Sequence, residues 1–127
     1  MNKRDYSPVI LIVDDHEDNR DVLGTFLSSR GFKVMEACNG LEAIMAAARD
    51  RPDLIIMDLA MPVMDGFSAM RLMRELPRSL NVPVIACTGY GAAHQPKAMQ
   101  DGFNEFITKP IDFNKLESAI NRLLKLE

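Results

Sequence analysis

Hydrophobic residues along the chain fall into two alternating patterns, short unbroken runs and longer stripes at helical spacing. The central run is Leu54 to Met57, four bulky apolar residues followed directly by Asp58 and then by turn-forming residues. An uninterrupted apolar run bounded by turn formers is typical of a strand buried on both faces, as in a parallel sheet. Similar short runs predict four more strands, at residues 9–13, 33–38, 84–87 and 106–108.

Between the strands, apolar residues recur at three- and four-residue spacing, which predicts helices. Arg30-Gly31 and Arg51-Pro52 end the first two, and Asp112 is the predicted N-cap of the last. A fourth helix, ending near Gly102, is the least marked. The positions predicted to face the core are Val22, Leu23, Phe26 and Leu27; Leu41, Ile44 and Ala48; Phe67, Met70, Met73 and Leu76; and Phe113, Leu116, Ile120, Leu123 and Leu124. Five strands alternating with five helices predict an α/β fold, a parallel sheet with helices on both faces.

Length and composition favour a single globular domain. The chain has 127 residues, 47% of them hydrophobic and 26% charged, which suits one packed core at about residues 8–126 within a domain of 1–127 and no output domain. The net charge of −3 offers no basic face for direct binding of nucleic acid. The leader from Met1 to Pro8 is polar and no run is long enough to span a bilayer, so we expect no membrane insertion and a cytoplasmic protein.

The two cysteines do not indicate a metal site. Cys38 and Cys87 stand at the ends of two predicted strands and lack the spacing of metal ligands. We interpret them as buried structural thiols in a reducing compartment.

Polar residues follow four of the predicted strands. Asp14 and Asp15 follow the first, Asp58 the third, Thr88 the fourth and Lys109 the fifth. In an open parallel sheet the binding crevice lies outside the carboxyl ends of the strands, so these side chains are expected to converge there. Taken singly, each has an ordinary explanation, as a helix cap, a strand-end hydroxyl or a solvated lysine. Three acids at one edge nevertheless favour a hard cation such as Mg²⁺.

These residues carry a resemblance to a known family. The pair Asp14-Asp15, the stretch DLAMPVMDG from Asp58 to Gly66, Thr88-Gly89 and Lys109-Pro110 together resemble the receiver domain of two-component response regulators. The resemblance covers essentially the whole chain and implies a flavodoxin-like (βα)5 fold with strand order 2-1-3-4-5. It also implies that Asp58 accepts a phosphoryl group from a sensor histidine kinase or a histidine phosphotransfer protein.

The resemblance assigns a role to each residue at the strand ends. Mg²⁺, or Mn²⁺, would be held by Asp15 and Asp58 directly, by the backbone carbonyl of Ala60, and by Asp14 directly or through water. Lys109 would pair with Asp58 before transfer and with the phosphoryl oxygens afterwards. A carboxylate attacks phosphorus poorly unless the repulsion between anions is cancelled, which is what the metal and the ammonium would do.

The resemblance also implies a switch. Thr88 would donate its hydroxyl to a phosphoryl oxygen, the backbone at Gly89 would border the phosphoryl group, and Phe106 would turn inward as Thr88 moves. Phe106 lacks the hydroxyl of the commoner tyrosine, and its ordinary interpretation is a core aromatic. Pro110 is a candidate for a cis peptide bond.

The implied output surface is the face formed by the fourth helix, fifth strand and fifth helix. It begins near Ala93 and includes Lys115 and Ser118. It would bind a downstream protein that the sequence does not identify, and it offers a route to dimers, although a monomer is the default expectation. Kinase specificity is expected mainly on the first helix, at Asn19, Arg20, Val22 and Leu23.

Three further residues bear on chemistry near the site. Tyr90, two positions after Thr88, would partly shield the acyl phosphate from water, and Ala60 has no side chain to orient an attacking water, so we expect a long-lived phosphoryl group. His16 follows the acidic pair and is interpreted as a surface loop residue rather than as a phosphoryl carrier or zinc ligand.

Three alternatives stay open at this point. The chain could be a receiver fragment of a hybrid kinase or of a multidomain regulator. A hydrolase with an aspartyl-phosphate intermediate would normally need an acid where Ala60 stands, and it would need a substrate pocket. A flavin-binding domain of the same topology would need an anion-binding loop, but the acidic residues after the first strand would repel an anion.

Overall fold

The computed structural model describes residues 7–76 and 81–126 of the chain. Most of the polar leader predicted at Met1 to Pro8 therefore lies outside the described residues. Within these ranges strands and helices alternate. The strands are β1 (Val9–Val13), β2 (Lys33–Ala37), β3 (Leu54–Met57), β4 (Val84–Thr88) and β5 (Glu105–Thr108), and the helices are α1 (Glu17–Ser29), α2 (Gly40–Asp50), α3 (Gly66–Glu75), α4 (Gln95–Gln100) and α5 (Phe113–Leu124). A 3₁₀ turn at Ala92–His94 leads into α4.

The described strands form one parallel sheet in the order β2-β1-β3-β4-β5, which confirms the predicted flavodoxin-like fold. Every pairing is parallel, and Val13 pairs with both Ala37 and Met57. The order changes direction between β1 and β3, so these strands lie side by side at the centre. Their carboxyl ends therefore open into the same crevice.

Hydrophobic clusters cover both faces of the sheet. On one side, residues of α2, α3 and α4 such as Ala43, Met70 and Ala98 pack against it. On the other side, α1 and α5 contribute residues such as Leu27 and Leu116. Residues of β3 alternate between the two clusters and are all buried, as predicted for a strand covered on both faces.

Local capping fixes where several helices begin and end. Asp112 accepts hydrogen bonds from the backbone N–H groups of Asn114 and Lys115 at the start of α5, which confirms the predicted N-cap. Asp65 caps α3 by accepting from the Ser68 N–H. Arg51 ends α2 with a left-handed backbone, φ 46°, just before Pro52.

The buried faces of two helices differ from the prediction. In α2 the buried side chains are Ala43, Ala46 and Ala47, whereas Leu41 is 49% exposed. The small alanines let this helix lie close to the sheet. The prediction placed the larger Leu41 on the inward face, and that choice was wrong. In α1, Leu23 and Leu27 are buried but Val22 is 60% exposed, because only a narrow stripe of this helix faces the sheet.

The two cysteines differ in burial. Cys87 is buried as predicted, whereas Cys38 is only half-buried at the end of β2.

Among the described helices, none has the length and apolar character needed to cross a membrane.

Candidate functional site

The polar residues at the strand ends converge at the crevice beside β1 and β3. Because Val13 and Met57 are in register, the residues that follow them, Asp14 and Asp58, leave the sheet side by side. Both carboxyl side chains are largely buried, with residue exposures of 6%. The Asp58 N–H donates to the Val13 carbonyl at 2.9 Å, which continues the strand pairing into the site.

Lys109 lies between these two acids. Its Nζ is 2.9 Å from Asp14 Oδ2 and 3.1 Å from Asp58 Oδ2. Its backbone N–H donates to the Thr88 carbonyl at 2.8 Å, and its peptide bond to Pro110 is cis. Lys109 follows β5, which lies on the other side of β3 from β1. Its ammonium therefore reaches Asp14 and Asp58 from that side of the sheet.

The pKa values of Lys109 and Asp14 shift in directions that favour their charged forms. Burial disfavours the charged ammonium of Lys109, but hydrogen bonds and attraction from Asp14 and Asp58 outweigh it and raise the pKa of Lys109. Burial likewise favours neutral Asp14, but hydrogen bonds from the His16 N–H and from Lys109 lower the pKa of Asp14 overall. Lys109 and Asp14 are therefore both charged at neutral pH.

The backbone of the loop after β3 positions the Asp58 carboxylate. Asp58 Oδ1 accepts from the Ala60 N–H at 3.0 Å. A Cβ at Gly66 would lie 2.5 Å from the Asp58 carbonyl oxygen, so glycine is required where α3 meets the site. Val63 has φ 70°, and the Met64 N–H donates to the Pro62 carbonyl two residues back, which closes a γ-turn around Val63.

Asp15 and His16 complete the acidic side of the site. Asp15 Oδ1 is buried and has no hydrogen-bond partner within the described part of the chain. A buried carboxylate oxygen in this state is unfavourable unless a cation or water meets it. An unpaired carboxylate oxygen beside Asp14 fits a hard divalent cation, which takes oxygen ligands. His16 is exposed, as predicted, but its imidazole faces the two acids that precede it.

Thr88 is fully buried beside the site at the end of β4. Its Oγ1 accepts from the Tyr90 N–H at 3.2 Å, with Gly89 exposed between them. The Tyr90 ring stacks on His94, the ring centroids being 4.7 Å apart. Phe106 pairs with Ala86 across the sheet and packs half-buried against one hydrophobic cluster.

A cavity of about 540 Å³ adjoins the acids, between α1 and the segment after β5. Asp14, Asp58 and Lys109 line this cavity, and Val22 of α1 lines it as well. Cys87 forms part of its wall, and burial raises the pKa of that thiol to about 12. A thiol with such a high pKa is not a nucleophile at neutral pH.

Arg20 is a site residue whose role sequence reasoning missed. It was predicted only as part of the kinase-specificity surface, and its guanidinium donates to the Asp14 carbonyl at 2.7 Å and to Glu36 Oε1 at 2.9 Å. It thus ties the loop after β1 to β2. Its position one turn into α1, four residues after the N-cap, is the signal that could have suggested this contact.

The comparisons agree with this geometry. A family model described as the response regulator receiver domain matches residues 10–121. A 14.6 kDa protein of Leptolyngbya boryana is 42% identical over 104 residues, which are 81% of this chain and 79% of that protein. Sporulation initiation phosphotransferase F of Bacillus subtilis is 31% identical, with 93% of this chain and 94% of that protein covered.

Other similar proteins are longer or are parts of kinases. Response regulator PleD of Caulobacter vibrioides is 35% identical over 93% of this chain, but the match spans only 26% of PleD. The receiver domain of sensor histidine kinase PA1611 from Pseudomonas aeruginosa, solved with a magnesium ion in its active site cleft, is 32% identical with a TM-score of 0.86. That comparison covers 94% of this chain and 99% of the solved one.

Proposed function

Because the chain belongs to the receiver domain family of two-component response regulators, whose members accept a phosphoryl group on aspartate, we propose that Asp58 is the acceptor here. The observation that carries the proposal is the contact of Asp58 Oδ2 with Lys109 at 3.1 Å. Phosphoryl transfer depends mainly on positioning and charge neutralisation, and this ammonium offsets the repulsion between the carboxylate and the incoming group. An Asp58 oxygen would form the new P–O bond while the donor's bond to phosphorus breaks, and the donor leaves with its electron pair.

Divalent metal is proposed as the cofactor of this transfer. Mg²⁺ or Mn²⁺ would be held by Asp14, Asp15, Asp58 and the Ala60 carbonyl, and when bound it would supply further neutralisation of the phosphoryl oxygens. The support is the unpartnered buried oxygen of Asp15 next to the acids. The magnesium ion in the similar Pseudomonas aeruginosa receiver domain points the same way.

The switch is proposed to run from Thr88 to Phe106. The Thr88 hydroxyl would leave the Tyr90 N–H and donate to a phosphoryl oxygen, with the Gly89 backbone bordering the group. Phe106 would then turn further inward beneath the fourth strand. Its half-buried position against the core leaves it able to do so, and an inward ring loses no hydrogen bond to solvent.

The output face is proposed to be α4-β5-α5. Phe106 shares one surface depression with Gln95, Glu105, Lys115 and Ser118, so an inward turn of its ring would change this face directly. Beryllofluoride, which mimics an aspartyl phosphate, should shift the amide NMR signals of this face in the presence of Mg²⁺. Shifts confined to the acidic residues would contradict a switch here.

The phosphoryl donor is proposed from the chemistry it must supply. The donor would be a histidine kinase or histidine phosphotransfer protein, which would approach over α1 beside the cavity next to Asp58.

We also propose that the chain is a stand-alone receiver, because two relatives are matched over most of their own length, and a monomer is its default state. An antibody against it should detect a species near 14.2 kDa in source cells, whereas a much larger species would indicate a part of a hybrid kinase or multidomain regulator.

The proposal is tested by intact-mass analysis after incubation with acetyl phosphate, with and without Mg²⁺. We expect one phosphate adduct in the native chain and none in Asp58→Asn or after removal of metal by a chelator. An adduct that persists in Asp58→Asn would contradict the assignment of the acceptor. An adduct that forms equally well in chelator would contradict the role of the metal.

A further inference from the structure

Arg20 joins the loop that carries Asp14 and Asp15 to the neighbouring strand β2. One guanidinium nitrogen donates to the backbone carbonyl of Asp14 at 2.7 Å, and Nε donates to Glu36 Oε1 at 2.9 Å. A guanidinium carries its donors in a fixed, planar fork, so contact with two acceptors sets its orientation. The Arg20 side chain is only 16% exposed, and it is therefore engaged inside the protein rather than presented to a partner.

The carbonyl that Arg20 binds belongs to the peptide unit between Asp14 and Asp15. A peptide unit is planar and rigid, so a hydrogen bond that orients its carbonyl also orients the Cα atoms on either side. The Asp14 N–H donates to the Ala37 carbonyl of β2 at 3.2 Å. Both backbone hydrogen-bonding groups of Asp14 are thus tied to β2, the N–H directly and the carbonyl through Arg20 and Glu36.

The position of Asp14 matters because its carboxylate contacts the lysine that faces the acceptor. Asp14 Oδ2 lies 2.9 Å from Lys109 Nζ, and the same ammonium lies 3.1 Å from Asp58 Oδ2. On the other side of the peptide unit, Asp15 Oδ1 is buried and has no hydrogen-bond partner among the described residues. The direction of that oxygen therefore depends on the backbone that Arg20 orients.

We propose that Arg20 is a positioning residue for phosphoryl transfer to Asp58. The proposal rests on the function proposed above and adds a residue that acts only through its neighbours. By fixing the peptide unit between Asp14 and Asp15, Arg20 would hold both carboxylates in place. Asp14 would in turn hold Lys109 beside the acceptor. Residues that support a metal-binding carboxylate in this way typically change metal affinity or activity by about tenfold to a hundredfold.

Positioning and simple electrostatics predict opposite effects of Arg20 on Mg²⁺. A cation beside an acidic site repels Mg²⁺, so if Arg20 acted only through its charge, Arg20→Ala would lower the Mg²⁺ concentration needed for half-saturation. If Arg20 positions the acids, the same substitution frees their backbone and raises that concentration. The sign of the change therefore separates the two explanations.

The experiment follows amide NMR shifts during a Mg²⁺ titration without a phosphoryl donor, and then the rate of adduct formation with acetyl phosphate over the same Mg²⁺ range. We expect Arg20→Ala to raise the half-saturating Mg²⁺ concentration about tenfold in both measurements. The rate at saturating Mg²⁺ should return close to the native rate, because saturation restores the positions of the acids. Arg49→Ala removes an exposed arginine of α2 that contacts Asp50, and this matched control should behave like the native chain.

Glu36 gives a second test that does not depend on the folding of Arg20→Ala. Glu36→Ala removes the acceptor that holds the guanidinium, whereas Glu36→Gln keeps an acceptor oxygen at the same place. Both substitutions remove the same charge, so a difference between them reports the contact with Arg20 alone. We expect Glu36→Ala to need more Mg²⁺ than Glu36→Gln. Urea denaturation of each variant checks that it is folded under the conditions of the titration.

An unchanged or lower half-saturating Mg²⁺ concentration in folded Arg20→Ala would overturn the proposal. Equal Mg²⁺ requirements of Glu36→Ala and Glu36→Gln would overturn it as well, because the guanidinium would then not need its second acceptor. A native chain that binds Mg²⁺ but forms no adduct would instead contradict phosphoryl acceptance by Asp58. In that case the NMR titration would still test whether Arg20 positions the acids.

Discussion

Lys109 shows how a single residue links stability to the site. Its pKa is raised in the folded chain, so its pairing stabilises the fold below the unfolded-state pKa of about 10.4 and is lost as pH rises through the folded value. The lowered pKa of Asp14 stabilises the fold above about pH 3.9 and is lost as pH falls through the folded value. The same charges that prepare the site for phosphoryl transfer thus favour the folded state across the neutral range.

Tyr90 is the residue that we expect to set the lifetime of the phosphoryl group. It adjoins Thr88 through a hydrogen bond and is held by its stack on His94, so its ring can limit access of water. Tyr90→Ala should shorten the lifetime of phosphorylated Asp58 several-fold in Mg²⁺, and Tyr90→Phe should not. The phosphorylated fraction is followed by intact mass over time. Identical decay in the native chain and Tyr90→Ala would contradict the shielding.

Cys87 gives a prediction about alkaline pH. Burial raises the pKa of its thiol to about 12, whereas an unfolded cysteine ionises near 8.5. Above pH 8.5 the unfolded state therefore loses protons that the folded state keeps, and stability falls. Between pH 8 and 10 the native chain should lose about 2 kcal/mol more than Cys87→Ala.

Urea denaturation under reducing conditions at pH 8, 9 and 10 measures this difference. Cys87→Ala should be less stable at pH 8 because it leaves a small cavity, but its stability should fall less with pH. Cys38→Ala is the control. It should keep most of the native loss, because it retains the buried Cys87 thiol, although a hydrogen bond with Glu42 also raises the pKa of Cys38. Parallel curves for the native chain and Cys87→Ala would contradict the prediction.

At the level of elements, the loop between β3 and α3 carries strain next to the acceptor. Val63 is β-branched, 80% exposed and held at φ 70°, a conformation that costs such a residue about 1–3 kcal/mol. Val63→Gly should therefore raise the free energy of unfolding by about 1 kcal/mol, after the greater freedom of unfolded glycine is counted. Val63→Ala keeps the positive φ and should change little. Chemical denaturation of the three chains checks this, and a loss of stability in Val63→Gly would refute the assignment of strain.

Elements were predictable where one pattern decides them. The run from Leu54 to Met57 can satisfy its two buried faces only inside a sheet, and Asp112 can cap only the helix after it. In α2 the alanines and the larger Leu41 compete for the core, and close packing against the sheet decides between them. That outcome depends on tertiary distances, which helical spacing does not contain.

For the site, the sequence predicted which residues converge but not all of their contacts. Its acids and Lys109 converge because each follows a strand, and strand ends meet whatever the side-chain rotamers are. The contacts of Arg20 with Asp14, and of His16 with both acids, depend on how the side chains turn within α1 and its N-cap. Spacing along the chain placed these residues near the site without giving those directions.

For the whole molecule, the crevice concentrates negative charge in a chain that is already acidic, with a net charge of −3. Asp14 and Asp58 both contact Lys109 there, and Asp15 lies beside Asp14. An ion that binds the folded but not the unfolded chain stabilises it by mass action. Mg²⁺ at one hundred times its dissociation constant should therefore add about 2.7 kcal/mol.

For a domain of this size that gain corresponds to a rise of roughly 8–12 °C in Tm. Asp15→Asn removes the carboxylate whose oxygen lacks a donor, so its Tm should respond far less to Mg²⁺ than that of the native chain. Sodium chloride at matched ionic strength is the control, because screening alone would relieve the repulsion without a specific ion. Equal stabilisation of both chains by Mg²⁺, or equal effects of the two salts, would mean that the acids act as a diffuse charge. A difference confined to Mg²⁺ and the native chain would mean that part of the stability depends on the metal needed for phosphoryl transfer.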